Sequence, residues 1–208
     1  MTDKRRHQIR LDISRGAARL FWQQGFAATS GEQIAELAGL SSRTIWRHFR
    51  SKGSCVEPVV EAGVEWFVVL LRRWPRQMSL KDHIAAELSA MQQSGSDPWM
   101  IADFISATQM IVLADREPAI RTAWLMACHR VEIELALVAA ERLRCPKDDT
   151  RARLLAAVAT AVLRLANEEI GRDLVAGWSP KDMRDVSQRM ASVVSGVAVG
   201  RLGEAVSI

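Results

Sequence analysis

The sequence predicts an all-α protein. Apolar residues recur at three- and four-residue intervals along nearly the whole chain, and no segment alternates apolar and polar side chains for long enough to form a strand. Gly and Pro mostly fall between the periodic stretches, as helix punctuation. The 208 residues are 49% hydrophobic and 25% charged, a folded globular balance that excludes a disordered or collagen-like polymer.

The first helix carries Ile9, Ile13, Ala17, Leu20 and Phe21 on one stripe. It ends at Gln24-Gly25-Phe26, where Gly25 is free to take a left-handed backbone and Phe26 to fold back on Phe21. A second, short helix is opened by Thr29 with Glu32 or Ser30 with Gln33, both at capping-box spacing, and is stopped by Gly39 after Ile34, Leu37 and Ala38. Ser41 caps a third helix bearing Ile45 and Phe49. Ser51-Lys52 opens a fourth that runs to about Arg73, before Trp74-Pro75; Pro58 inside it predicts a kink or a late helix start near 54–58, and Pro58 with Gly63 a hinge. Further helices are expected from about Ser79 to Gln93, from Asp97-Pro98 to about Ala114, from Pro118 to about Arg144, and from Asp148 or Asp149 to Ala176 before Gly177. Ser179-Pro180 opens the last, for nine helices in all, divided into residues 1–53 and 54–208.

No apolar run approaches the roughly 20 residues that span a bilayer. The longest, Leu154 to Leu163, is interrupted by Thr160 and flanked by arginines, so no membrane partner is expected. The opening residues are polar and basic and lack the apolar core of a secretion signal. Cys55, Cys128 and Cys145 are odd in number and far apart, which suits reduced thiols and a cytoplasmic location.

The net charge of +4 is unevenly distributed. Residues 1–55 hold ten Lys and Arg against four acids, or +6, while the remainder holds eighteen against twenty, or −2. A basic head on a slightly acidic body points to a nucleic-acid-binding module attached to something with another task. Within that head, residues 30–49 have the layout of a helix-turn-helix. Ile34, Leu37, Leu40, Ile45 and Phe49 are placed to pack inward against Leu20 and Phe21, leaving Ser42, Arg43, Trp46 and Arg47 outward, where the second helix of such a motif meets base edges in the major groove. The Arg43 fork suits guanine O6 and N7; Thr44, His48 and Lys52 suit phosphate contacts.

The string Leu20-Phe21, Gly25-Phe26, Thr29-Ser30, Ile34-Ala35, Ala38-Gly39-Leu40-Ser41, Thr44-Ile45-Trp46-Arg47-His48-Phe49 and Ser51-Lys52 resembles the DNA-binding domain of the TetR family of transcriptional regulators. The resemblance implies a homodimer on a double-stranded DNA operator, with a helical ligand-binding domain behind the reading head. By matching position it implies DNA contacts from Ser30, Gly31, Ser42, Arg43, Thr44, Trp46, His48 and Lys52. Trp46 stands where tyrosine is usual, Gly31 where a larger residue is common, and Cys55 where leucine is usual three residues after the lysine.

The resemblance also implies a small-molecule effector pocket among the middle helices. Their aromatic and Met side chains suit an apolar or aromatic molecule, with Trp66, Phe104, Trp124 and His129 the preferred contacts. Near the C-terminus, Leu154, Val158, Ala161 and Leu165, and then Met183, Val186, Met190, Val193 and Val197, repeat at bundle spacing, with further apolar positions such as Leu155, Val162 and Val194. The surplus fits either a four-helix bundle formed by two chains or a thick intramolecular core.

No catalytic residue, metal or cofactor is expected. His129 and Glu132 share a helix face with no second ligand pair, Glu168 and Glu169 face different ways, and there is no nucleophile elbow, phosphate-cradling glycine loop or Cys-x-x-Cys. The sequence therefore reads as a ligand-responsive regulator, a repressor released from its operator by an effector. The alternative is a DNA-binding dimer without an effector, whose helical body serves protein contacts only.

Overall fold

The computed structural model of the chain describes residues 3–94 and 98–177. Among these residues are eight α-helices and no strand: α1 (Asp3–Gln24), α2 (Gly31–Leu37), α3 (Ser42–His48), α4 (Glu57–Arg73), α5 (Leu80–Ser94), α6 (Pro98–Leu113), α7 (Pro118–Leu143) and α8 (Thr150–Gly177), with a 3-10 turn, Gly53–Val56, ahead of α4. The ninth helix expected after Ser179, with Met183, Val186, Met190, Val193 and Val197, lies outside the described residues. No described helix is long and apolar enough to cross a membrane. Of the described residues, those at 3–64 and 98–127 form one compact unit and those at 65–94 and 128–177 another, so α4 and α7 contribute to both.

In the first unit α1 buries Ile13, Ser14, Ala17, Ala18 and Phe21 along one face. It ends where glycine permits: Gly25 has φ +91°, its N–H donates to Phe21 O at 3.1 Å, and the Phe26 ring meets Phe21 edge-on at 4.9 Å. Of the two caps available to α2, Ser30 is used. Its Oγ accepts from Gln33 N (3.2 Å), and its own N–H donates to Gln33 Oε1 (2.8 Å). Thr29 is buried, and its hydroxyl donates to Gly25 O. The end of α2 is closed by Leu40 N to Ala35 O and Gly39 N to Glu36 O, with Gly39 at φ +64°, the Schellman arrangement. Ser41 Oγ then accepts from Thr44 N to cap α3.

Leu37, expected inside, is 40% exposed. Two helical turns deliver only Ile34 and Ala35 to the core, and Leu37 sits at the rim, its Cδ2 against Gly16 of α1.

The late start of α4 has a tertiary cause. Pro58 lies in its first turn, where a missing N–H is harmless, and the amide of Val59 donates to the fully buried hydroxyl of Ser14 on α1 (2.9 Å). Gly63 serves close packing: a Cβ there would stand 2.3 Å from Cβ of Ala107 on α6. Gly53 likewise faces Ala119 of α7. Arg15 on α1 donates from Nε and Nη2 to the two oxygens of Asp103 on α6, each at 2.7 Å, under the ring of Trp99.

The second unit is tied by side chains that reach helix ends. His83 Nε2 donates to Leu70 O in the last turn of α4 (3.0 Å). The guanidinium of Arg142 stacks on Trp74 (3.7 Å to the ring centre) and donates to Pro75 O, Arg76 O and Met78 O, filling the α4–α5 turn. Arg72 pairs with Glu134, and Arg130 with Glu65. The small side chains Ala139, Ala140 and Ala152 let α7 and α8 approach closely, with Cys145, Leu155 and Ala159 around them. The turn between these helices repeats the α2 ending, with Cys145 N to Ala140 O and Arg144 N to Glu141 O, but Arg144 occupies the left-handed position (φ +52°) that glycine usually fills.

Replacing Ser14 with Ala leaves the Val59 amide buried without an acceptor at nearly unchanged volume. We expect a loss of about 1–3 kcal/mol in urea unfolding, the cost of an orphaned buried donor.

Candidate nucleic-acid interface

The reading surface follows from the way α3 is anchored. Ile45 and Phe49 are buried beneath it, which turns Arg43, Trp46 and Arg47 to solvent. Ser42, Thr44 and His48 are half-buried at the flanks, and the Thr44 hydroxyl lies 2.9 Å from Ser41 Oγ within the cap. Ser30 is exposed at the head of α2, whereas Gly31 behind it is buried.

Lys52 takes a role the sequence did not disclose. Its ammonium donates to Phe26 O (2.6 Å) and Thr29 O (2.8 Å) and lies 4.2 Å from the centre of the Phe26 ring. The cation read as a phosphate contact is thus engaged in holding the α1–α2 turn, in which Phe26 O also accepts the Thr29 amide (3.3 Å). Beyond it, Cys55 is buried where leucine is usual. Burial, and after it Glu57, pushes the thiol up to about 12, so it acts as a small apolar side chain.

Two arginines outside the helix-turn-helix join the surface. Arg10 of α1 lies over the Phe49 ring (5.3 Å to its centre), and Arg6 and Arg10 act with Arg47 on His48. Burial first, and then these three positive charges, hold the imidazole below its ordinary range; its Nδ1 is buried with no partner among the described residues. The sequence signal for this pair was their i, i+4 spacing ahead of the apolar stripe of α1. Arg50, by contrast, is already paired with Glu57.

The expected effector contacts are distributed over both units. Phe104 is half-buried and Trp124 buried in the first; in the second, Trp66 is half-buried and His129 exposed. On α8 the larger buried apolar positions and the alanines are Ala152, Ala156, Leu163, Ala166 and Ile170, with Thr160 and Glu168 buried among them, while Leu154 (64% exposed), Val158, Ala161 and Leu165 (52%) form a separate stripe facing solvent. No group of three His, Cys, Asp or Glu side chains among the described residues could hold a metal ion.

Residues 13–59, which contain this helix-turn-helix, match the family described as bacterial regulatory proteins, tetR family. The HTH-type transcriptional regulator TcmR of Streptomyces glaucescens is 28% identical over 171 residues, spanning 81% of this chain and 76% of its own. The fold is similar to that of Salmonella enterica GusR (TM-score 0.53, 16% identity, 94% of this chain and 98% of that one). It is also similar to a TetR-family regulator of Streptomyces coelicolor (TM-score 0.50, 15% identity, 99% of this chain and 90% of that one). With a capped and anchored α3 inside the matched segment, residues 13–59 form a DNA-binding domain of the tetR-family type, and the chain as a whole is similar to TetR-family transcriptional regulators.

Proposed function

We propose that this regulator is a homodimeric repressor that releases its operator on binding a small apolar or aromatic effector, with residues 1–53 reading DNA and residues 54–208 serving effector binding and dimerisation. The observation that carries the DNA-reading part is the division of α3: Ile45 and Phe49 fix it to the head while Arg43, Trp46 and Arg47 are exposed on its outer face. Arg43, in the first turn, is the base reader, and Ser42 lies beside it. Arg47, Thr44, Trp46 and Ser30 contact the backbone, flanked by Arg6 and Arg10. His48 sits within the field of Arg47, Arg6 and Arg10, an arrangement that a phosphate would complete. Gly31 and Lys52 shape the surface from behind it.

Dimerisation is supported by the outer stripe of α8. Leu154, Val158, Ala161 and Leu165 recur at four, three and four residues, and four exposed apolar side chains in line on one helix are a face for another helix. A second copy presenting the same stripe satisfies it by two-fold symmetry, the symmetry that a pair of operator half-sites requires. Effector binding is supported by the aromatic side chains that the sequence supplies along α4, α6 and α7, Trp66, Phe104 and Trp124. It is tested by thermal shift against a panel of apolar and aromatic compounds, followed by release from DNA. A panel without stabilising members, and DNA binding that none of them alters, favours the effector-free dimer.

Operator fragments selected from genomic DNA by the wild-type protein provide the assay. Arg43→Ala should cost about 1–3 kcal/mol and relax the base preference at one position of each half-site, whereas Arg47→Ala should weaken all sequences alike and flatten the salt dependence. Loss of dimer on Leu154→Glu or Leu165→Glu, seen by sedimentation with helicity retained, should accompany loss of operator binding. For His48 the sign follows from its depressed value. The native state binds fewer protons than the unfolded chain, so its contribution to stability is complete above the ordinary imidazole pKa of about 6.5 and is lost as pH falls through the folded value. Between pH 7.5 and 5.5 the wild type should therefore lose more stability than His48→Gln.

A further inference from the structure

Gly31 and Trp46, the two unusual residues of the helix-turn-helix, meet in space. Gly31 is the first residue of α2, immediately after its cap Ser30, and is buried. Its backbone makes no demand for glycine: the glycines with positive φ are Gly25 and Gly39. In a helix, glycine is the least favourable residue after proline, so its presence here calls for a cause other than conformation. The cause is Trp46. A Cβ on Gly31 would stand 2.2 Å from Cζ2 of the indole, 3.1 Å from Cη2 and 3.2 Å from Cε2, so an edge of the six-membered ring occupies the space a side chain would need. The indole nevertheless remains 43% exposed on the outer face of α3.

We propose that Gly31 is a positioning residue for DNA recognition: the socket left by its missing side chain seats the indole of Trp46 on the first turn of α2. The seat fixes the orientation in which Trp46 is presented to the DNA backbone and sets the spacing between α2 and α3. Gly31 acts through Trp46 and touches no DNA itself. Seating one edge removes rotational freedom from a large ring before DNA arrives, so less ordering remains to be done on binding. This rests on the reading of α3 as the DNA-contacting helix. It gives one physical origin to both departures from the usual motif, a larger aromatic on one helix and the loss of a side chain on the other.

The test compares four full-length proteins, wild type, Gly31→Ala, Trp46→Phe and the double variant, for binding to the selected operator and for thermal unfolding. Gly31→Ala should lower operator affinity by about tenfold or more, because the added methyl displaces the indole or parts the two helices. In the Trp46→Phe background the same methyl enters volume vacated by the trimmed ring, and the double variant should bind within about threefold of Trp46→Phe alone. An equal loss in both backgrounds overturns the proposal, as does a folded Gly31→Ala protein with undiminished operator affinity. If Gly31→Ala does not fold, the double variant decides: cooperative unfolding supports the socket, and failure to fold overturns it. A wild-type protein that binds no DNA overturns the reading of α3. The melting temperatures then still test the socket, which coupled effects of the two substitutions uphold and additive effects overturn.

Discussion

Every α-helix ends in N–H and C=O groups that its own ladder cannot pair, and a chain of short helices multiplies such ends. In this protein, side chains distant in sequence meet many of them. Ser14 accepts from the first turn of α4, Lys52 donates to two carbonyls of the α1–α2 turn, His83 closes the last turn of α4, and Arg142 donates to three carbonyls of the α4–α5 turn. Each bond joins elements that packing alone would leave free to slide, because apolar contact is non-directional whereas a buried hydrogen bond has one geometry. These four side chains are kept inside or half inside the two compact units, each with a backbone group to answer for it.

The same constraint shapes the candidate DNA-reading surface. In the turn before α2 Lys52 donates to the carbonyls of Phe26 and Thr29, and a lysine so engaged cannot also be fully available to a phosphate. The positive surface offered outward comes instead from arginines: Arg43 and Arg47 on α3, and Arg6 and Arg10 arriving from α1. His48 lies where these charges accumulate, and the strain shows in an imidazole held toward its neutral form. A surface that repels its own charges is one that gains from a polyanion, which gives the basic head its function in physical terms.

In the second unit α8 shows two faces. The alanine-rich one is used against α7, where small side chains permit close approach; the other carries larger residues, led by Leu154 and Leu165, to solvent. Periodicity in the sequence identifies both stripes but not which is internal, since three- and four-residue spacing describes either equally well. Only the position of α7 separates them.

The Gly25 and Gly39 endings, the Ser41 cap and the placing of Ile45 and Phe49 on one face of α3 were determined by the sequence itself, because each depends on residues within about five positions. So was the likeness of residues 13–59 to the tetR family, carried by a contiguous string of such local signals. The tertiary structure decided what depends on distance in sequence: that Leu37 stops at the rim, that Gly63 packs against Ala107, that Lys52 answers carbonyls more than twenty residues away, that Arg6 and Arg10 stand beside α3, and that Gly31 yields its space to Trp46. Local sequence fixes hydrogen-bond geometry along one helix, but which side chain fills a gap, and which charge meets which carbonyl, is settled only when separate helices come to share the same few ångströms.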